Sequence, residues 1–128
     1  MTGNIDFAPT IRELAGLEAT ANMDGRSLLP LLEHPKEGGH GSLALINTFP
    51  PAPTTCMSIV SGSFKYTYWW FENDEMQPTE ELFNLKSDPL ELTNLVQVPE
   101  HKKKLGMMRK NYDVQLKHWK KEAVIGNE

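Results

Sequence analysis

Between Ser61 and Phe71 the chain reads Ser-Gly-Ser-Phe-Lys-Tyr-Thr-Tyr-Trp-Trp-Phe, and this alternation constrains the fold more than any other stretch. Successive side chains of an extended strand point to opposite faces. Phe64, Tyr66, Tyr68 and Trp70 then share one face, and Lys65, Thr67, Trp69 and Phe71 the other. Aromatics on both faces near the strand's end predict cover on both sides there. A second apolar run, residues 57–60, precedes it. The Gly62-Ser63 pair between the two runs suits a tight type II′ turn, where glycine supplies the positive φ. Residues 42–49 read as a further strand. Residues 50–53 are too proline-rich for a central strand, and residues 81–85 read as a last strand.

Residues from about Pro99 onward switch to a different period. Leu105, Met108, Tyr112, Leu116, Trp119 and Ala123 follow one another by steps of three and four, the mark of one helix face. Lys103, Arg109 or Lys110, Lys117 and Lys121 lie opposite. The apolar stripe predicts a helix laid on the sheet rather than one meant for a membrane or a partner. The fold class expected is α+β: a small antiparallel sheet packed against a long C-terminal helix.

The first forty residues do not fit that unit. "NIDFAPTIRELAGL" predicts a short helix, with Asp6 as its cap, Pro9 in the first turn and Gly16 as the stop. "MDGRSLLPLLEHP" predicts a turn at Asp24-Gly25, a brief helical turn, and a break at Pro30 or Pro35. Helices this short need packing against something else. Residues 1–40 and 41–128 are therefore expected to belong to different layers.

The chain has 128 residues, enough for one domain with its own core. Its formal net charge of −4 argues against nucleic acid as the default partner. Residues 102–121 are nonetheless rich in Lys and Arg, and residues 72–91 in acids. A solvated helix face beside an acidic neighbour is preferred there over a nucleic-acid surface. No apolar run reaches the roughly 18 residues that a membrane helix needs, so no membrane partner is expected. The N-terminus lacks the form of a signal peptide. Cys56 is the only cysteine, so no internal disulfide exists.

A search for chemistry returns little. Cys56, in "TTCMSIV", has no nearby cation to activate it and reads as an inert thiol at a strand edge. His34, His40, His101 and His118 lack metal-ligand spacing and read as solvated. His40 alone sits on a glycine-flexed loop, "GGHG", where ligand contacts are often displayed. The acidic pairs Asp74-Glu75 and Glu80-Glu81 read as solvated, and no serine has a neighbouring base. No catalytic, metal-binding or cofactor-binding constellation emerges.

Four motifs in order carry a resemblance: "NIDFAPTIRELAGL", "MDGRSLLPLL", "VSGSFKYTYW" and "EELFNLKSDPLELTNL". Together they resemble the C-terminal region of the sulfatase family, of the alkaline-phosphatase-like superfamily. The resemblance covers nearly the whole chain and implies a sulfuric ester hydrolase as parent. It assigns residues 1–40 to a helix and connector of the α/β catalytic domain, and 41–128 to a C-terminal subdomain. The family's formylglycine, made from a cysteine in Cys-x-Pro-x-Arg, and its calcium ligands have no counterparts here. Cys56 is followed by Met57, Ser58, Ile59 and Val60, so no cofactor is expected in this chain and the chain alone is expected to be inactive. The implied partner of the parent is a sulfated small molecule or glycan; the family is often secreted, periplasmic or lysosomal, and the sequence leaves the compartment open.

His40, Trp69 and Trp70 are the candidates for lining a substrate cleft, since aromatic faces and a loop histidine suit a sugar or aryl group. The competing reading puts both tryptophans in the core. Two alternatives stand beside the sulfatase reading: a free-standing binding or scaffolding module, and a fragment of a related phosphate or phosphonate ester hydrolase. A fragment that needs a partner would expose apolar surface and self-associate through it.

The segment 80–95 then reads as a redirecting element. Leu82, Phe83 and Leu85 are expected in an edge strand. Asp88 would cap a turn, with Pro89 at a first helical position. Leu92 and Leu95 would pin the chain to the core, and Asn94 would close the turn.

Overall fold

The computed structural model describes residues 1–18, 23–36, 39–49, 54–71 and 76–125, with side chains to residue 120. Asp74, Glu75 and the side chains of Lys121 and Ala123 lie outside the described residues, as does the proline-rich stretch 50–53. The chain divides into two compact units, Met1–Leu43 and Ala44–Glu128.

The first unit holds a 3₁₀ turn, Asn4–Asp6, running into α1, Phe7–Leu14, and a second short helix α2, Leu29–Glu33. Gly16, at φ +70°, takes the left-handed position just past the end of α1, as the sequence predicts. Pro30 does not break the second helix; it sits in its first turn, where its missing N–H has no helical partner to lose. Asp6 does not cap α1 either: its side chain makes no bond to the helix N–H groups. Gly25 packs backbone to backbone, since a Cβ there would clash with the Ile5 carbonyl oxygen. Alanine at this position would force the turn and the 3₁₀ segment apart.

The second unit is a four-stranded sheet in sequential order: β1 (Leu43–Phe49), β2 (Thr54–Ser61), β3 (Phe64–Phe71) and β4 (Thr79–Asn84). Strands β2 and β3 pair antiparallel with Ser61 opposite Phe64, leaving Gly62-Ser63 as a two-residue turn. Gly62 has φ +58° and Ser63 is not in the left-handed region, in keeping with the type II′ geometry expected. Strand β4 pairs antiparallel with β3 and ends at Asn84, one residue short of the predicted strand.

The core lies on the face carrying the even-numbered aromatics. Met57, Ile59, Tyr66 and Leu82 pack there against Leu105, Met108 and Tyr112 of α3, Lys102–Ile125, which follows a 3₁₀ turn at Pro99–His101. Tyr66 meets Tyr112 edge-on at 5.4 Å between centroids. The apolar stripe weakens toward the end of the helix: Leu116 is partly buried, and Trp119 is 39% exposed. Met57, Ile59 and Leu82 are wholly buried, the equivalent of about 2 kcal/mol each removed from water.

Segment 85–98 corrects the sequence reading in two places. Asp88 accepts the Leu92 and Thr93 amides, at 3.1 and 2.9 Å, and so closes a turn as expected, but no helix follows Pro89. Leu92 is 79% exposed and pins nothing, whereas Leu95 packs against the core. Asn94 does more than close a turn. Its carboxamide accepts from the Leu82 and Val96 amides and donates to the Glu80 carbonyl, while the Leu95 amide donates to the Leu82 carbonyl. The free edge of β4 is thereby satisfied without a fifth strand.

Candidate functional site

The first unit is organised around one buried charge. Asp6 is 1% exposed. Its carboxylate accepts the Gly3 amide at 2.8 Å, the Arg26 amide at 2.9 Å and His40 Nε2 at 2.7 Å. One turn later, the Thr10 hydroxyl donates to the Asp6 carbonyl and accepts the Leu28 amide. Asp6 and Thr10 therefore hold the Asp24-Gly25-Arg26-Ser27-Leu28 segment against the helix. Burial opposes the carboxylate's charge, but the bonds from His40, Arg26 and Gly3 outweigh it and hold the carboxyl below its usual value. The sequence offered a signal for this, the Asp-x-x-x-Thr spacing on one helix face, but propensity alone read Asp6 as a cap.

His40 is not the solvated loop residue that its glycine neighbours suggested. Its side chain is 10% exposed and its Nε2 is committed to Asp6. With Arg26 and Leu31 it borders a cavity of about 280 Å³.

The two tryptophans point to opposite faces of the sheet. Trp70 joins the core side, with its ring centroid 5.7 Å from Tyr68 and 6.1 Å from Tyr112. Trp69 lies on the other face. Its Nε1 donates to Glu81 at 2.8 Å and its ring stacks on Phe49 at 6.2 Å. There it lines a shallow cavity of about 300 Å³ with Asn47, Lys65, Thr67, Glu81 and Glu91. Lys65 is ion-paired to Glu91 at 2.7 Å, and a buried Ser58–Thr67 hydroxyl pair at 2.8 Å floors the face.

Glu80 is paired, not merely solvated. Arg109 of α3 forks onto its two carboxylate oxygens, and the Tyr66 hydroxyl donates to it at 2.8 Å. Arg109, and then Tyr66, hold the Glu80 carboxyl below its usual value. This clasp ties β4 to the helix. Among the described residues the buried Tyr112 hydroxyl finds no hydrogen-bond partner, and burial pushes its pKa upward.

Among the described residues, neither family cofactor finds a fit. Cys56 is 3% exposed in β2, a strand inside the sheet rather than at its edge, and its neighbours do not form a formylglycine motif. Among the described residues no three His, Cys, Asp or Glu side chains converge as metal ligands. Nor is any described helix long and apolar enough to cross a membrane.

Residues 1–119 match the C-terminal family of N-sulphoglucosamine sulphohydrolase. The chain belongs to this sulfatase family. It is 31% identical to the choline-sulfatase of Rhizobium meliloti over 95% of its own length and 23% of that protein's. It is 29% identical to the N-acetylglucosamine-6-O-sulfatase of Bacteroides thetaiotaomicron, covering 79% of this chain and 18% of that protein. It also superposes on a protein solved in complex with its substrate D-glucosamine-2-N,6-O-disulfate, with TM-score 0.76 and 27% identity. That match covers 91% of this chain and 24% of the other. The chain thus spans about a quarter or less of each of these proteins, and corresponds to a C-terminal portion of a sulfatase.

Proposed function

We propose that this chain completes the fold of a sulfuric ester hydrolase acting on a sulfated small molecule or glycan. The carrying observation is the family match over residues 1–119, supported by a fold shared with a protein bound to a disulfated glucosamine. In this reading residues 1–40 end the catalytic α/β domain and residues 41–128 form its C-terminal subdomain. The formylglycine and calcium would be supplied by other parts of the enzyme, and this chain would contribute shape at the edge of the cleft.

Of the three cleft candidates, Trp69 is the one whose surroundings favour a ligand. It is half-buried on a concave, polar face, while Trp70 packs with Tyr68 and Tyr112 and His40 Nε2 is taken by Asp6. An indole edge beside Lys65 and Asn47 can meet the apolar face of a sugar and its hydroxyls.

Two assays test the reading. The chain alone, given 4-nitrophenyl sulfate and calcium, should show no turnover; metal-dependent turnover would place a catalytic centre within it. Substituted for the C-terminal quarter of the Rhizobium meliloti choline-sulfatase, the chain should give a soluble, cooperatively melting hydrolase. A soluble, folded chimera without hydrolysis would overturn the completing role. In an active chimera, Trp69→Ala should raise KM several-fold and leave kcat nearly unchanged, as expected for a group that binds substrate without taking part in the reaction.

A further inference from the structure

The terminal helix is charged against the trend of the molecule. Residues 99–125 carry eight Lys and Arg against three Asp and Glu, in a chain whose net charge is −4. Packing accounts for the inner face of α3 and for Arg109, which grips Glu80. Lys104 lies over the Phe64 ring at 4.9 Å. Among the described residues, Lys102, Lys103, Lys110, Lys117 and Lys120 have no such duty.

Lys103, Met107, Lys110, Val114 and Lys117 follow by steps of four and three and so share one face. All five are exposed, with Met107 at 56% and Val114 at 63%. Lys102 and Lys120 flank the row and are exposed too. Among the described residues, the ion pairs are His40–Asp6, Lys65–Glu91 and Arg109–Glu80, and none of these five lysines takes part. The row is therefore solvent-facing charge that the core does not require.

From Lys103 to Lys117 is about 21 Å at the helical rise. A single sulfate ester can meet only one of these ammonium groups. An anion repeating along a chain can meet several at once, releasing counterions from each. Met107 and Val114, set between the lysines, offer apolar patches suited to the C–H faces of sugar rings. The same row carries no aromatic side chain, so it lacks the stacking platform that single-stranded nucleic acid uses.

We propose that the Lys103–Lys110–Lys117 row binds a sulfated polysaccharide chain. This rests on the reading that the substrate is a sulfated glycan, and narrows it to a polymer. The row would discriminate between polymeric and small sulfated substrates, since several of its charges can meet one chain at once.

The test reads binding, not turnover, so it stands apart from the hydrolysis assays. The 128-residue chain would be titrated with dextran sulfate, unsulfated dextran and oligo(dT) of matched charge. Wild type should bind dextran sulfate with strong salt dependence, ignore dextran, and bind oligo(dT) at least tenfold more weakly. The triple variant Lys103→Gln, Lys110→Gln, Lys117→Gln should keep its thermal melt, lose at least tenfold in affinity for dextran sulfate, and show a shallower salt slope. The double variant Lys36→Gln, Lys86→Gln, at two other exposed lysines, should bind as wild type does. Unchanged affinity in the triple variant, an equal loss in the double variant, or equal binding of oligo(dT) would each overturn the proposal. An active chimera whose parent chain fails to bind dextran sulfate would sink the polymer reading alone and leave the hydrolase reading intact.

Discussion

The two units of this molecule are held together by opposite means. Unit Ala44–Glu128 is organised by apolar packing: Met57, Ile59 and Leu82 are fully buried and close against Leu105, Met108 and Tyr112. Unit Met1–Leu43 turns its large apolar residues outward, with Phe7 57%, Ile11 65% and Leu14 67% exposed, and buries a carboxylate instead. Hydrophobic burial is non-directional and supplies most of the stability of a fold. Hydrogen bonds to a buried charge supply geometry, and removing one partner leaves the others uncompensated. The first unit is therefore shaped by its polar contacts while leaving an apolar helix face uncovered.

The contrast can be broken most severely at the apolar centre. Leu82→Ala should cost about 3 kcal/mol through lost burial and the cavity left behind. All three tryptophans, Trp69, Trp70 and Trp119, lie in the second unit, so a tryptophan-fluorescence melt would read this loss directly. An unmoved midpoint would show that the sheet–helix core is not what holds the unit.

Asp6→Ala should act only on the first unit and by a smaller amount, about 2 kcal/mol, since it strips acceptors from the Gly3 and Arg26 amides and from His40. Hydrogen exchange at the Arg26 amide should accelerate at least tenfold while the fluorescence melt stays fixed. Acid sharpens the same point. The Asp6 carboxyl is held below its ordinary value in the folded state, so its contribution is full above about pH 4 and is lost as pH falls through the folded-state value. Wild-type protection of the Arg26 amide should therefore decline on acidification below about pH 4, and the alanine variant should show no such decline. Protection that follows no pH dependence would mean that the charge is not the organiser.

The smallest effect belongs to the turn after β4. Asp88→Ala should cost about 1 kcal/mol through the loss of two amide acceptors at a partly exposed site. A melting temperature equal to wild type would show that water replaces the carboxylate without penalty.

Strand alternation and helical period determined much of this protein in advance. The Gly62-Ser63 hairpin, the even-numbered aromatic face and the stripe from Leu105 to Tyr112 follow from two periodicities and a glycine, because a strand or helix half-buried against one layer has little choice of which side chains to hide. Leu95 and Leu92 could not be separated that way. In an irregular segment no period says which leucine turns inward, and only the pairing of Asn94 and Leu95 with the edge of β4 decided it. The same holds for Asp6, whose partners Arg26 and His40 stand 20 and 34 residues along the chain. A side chain's local propensity is visible in its neighbours, but a buried charge is defined by contacts far off in sequence, and tertiary structure alone brings those together.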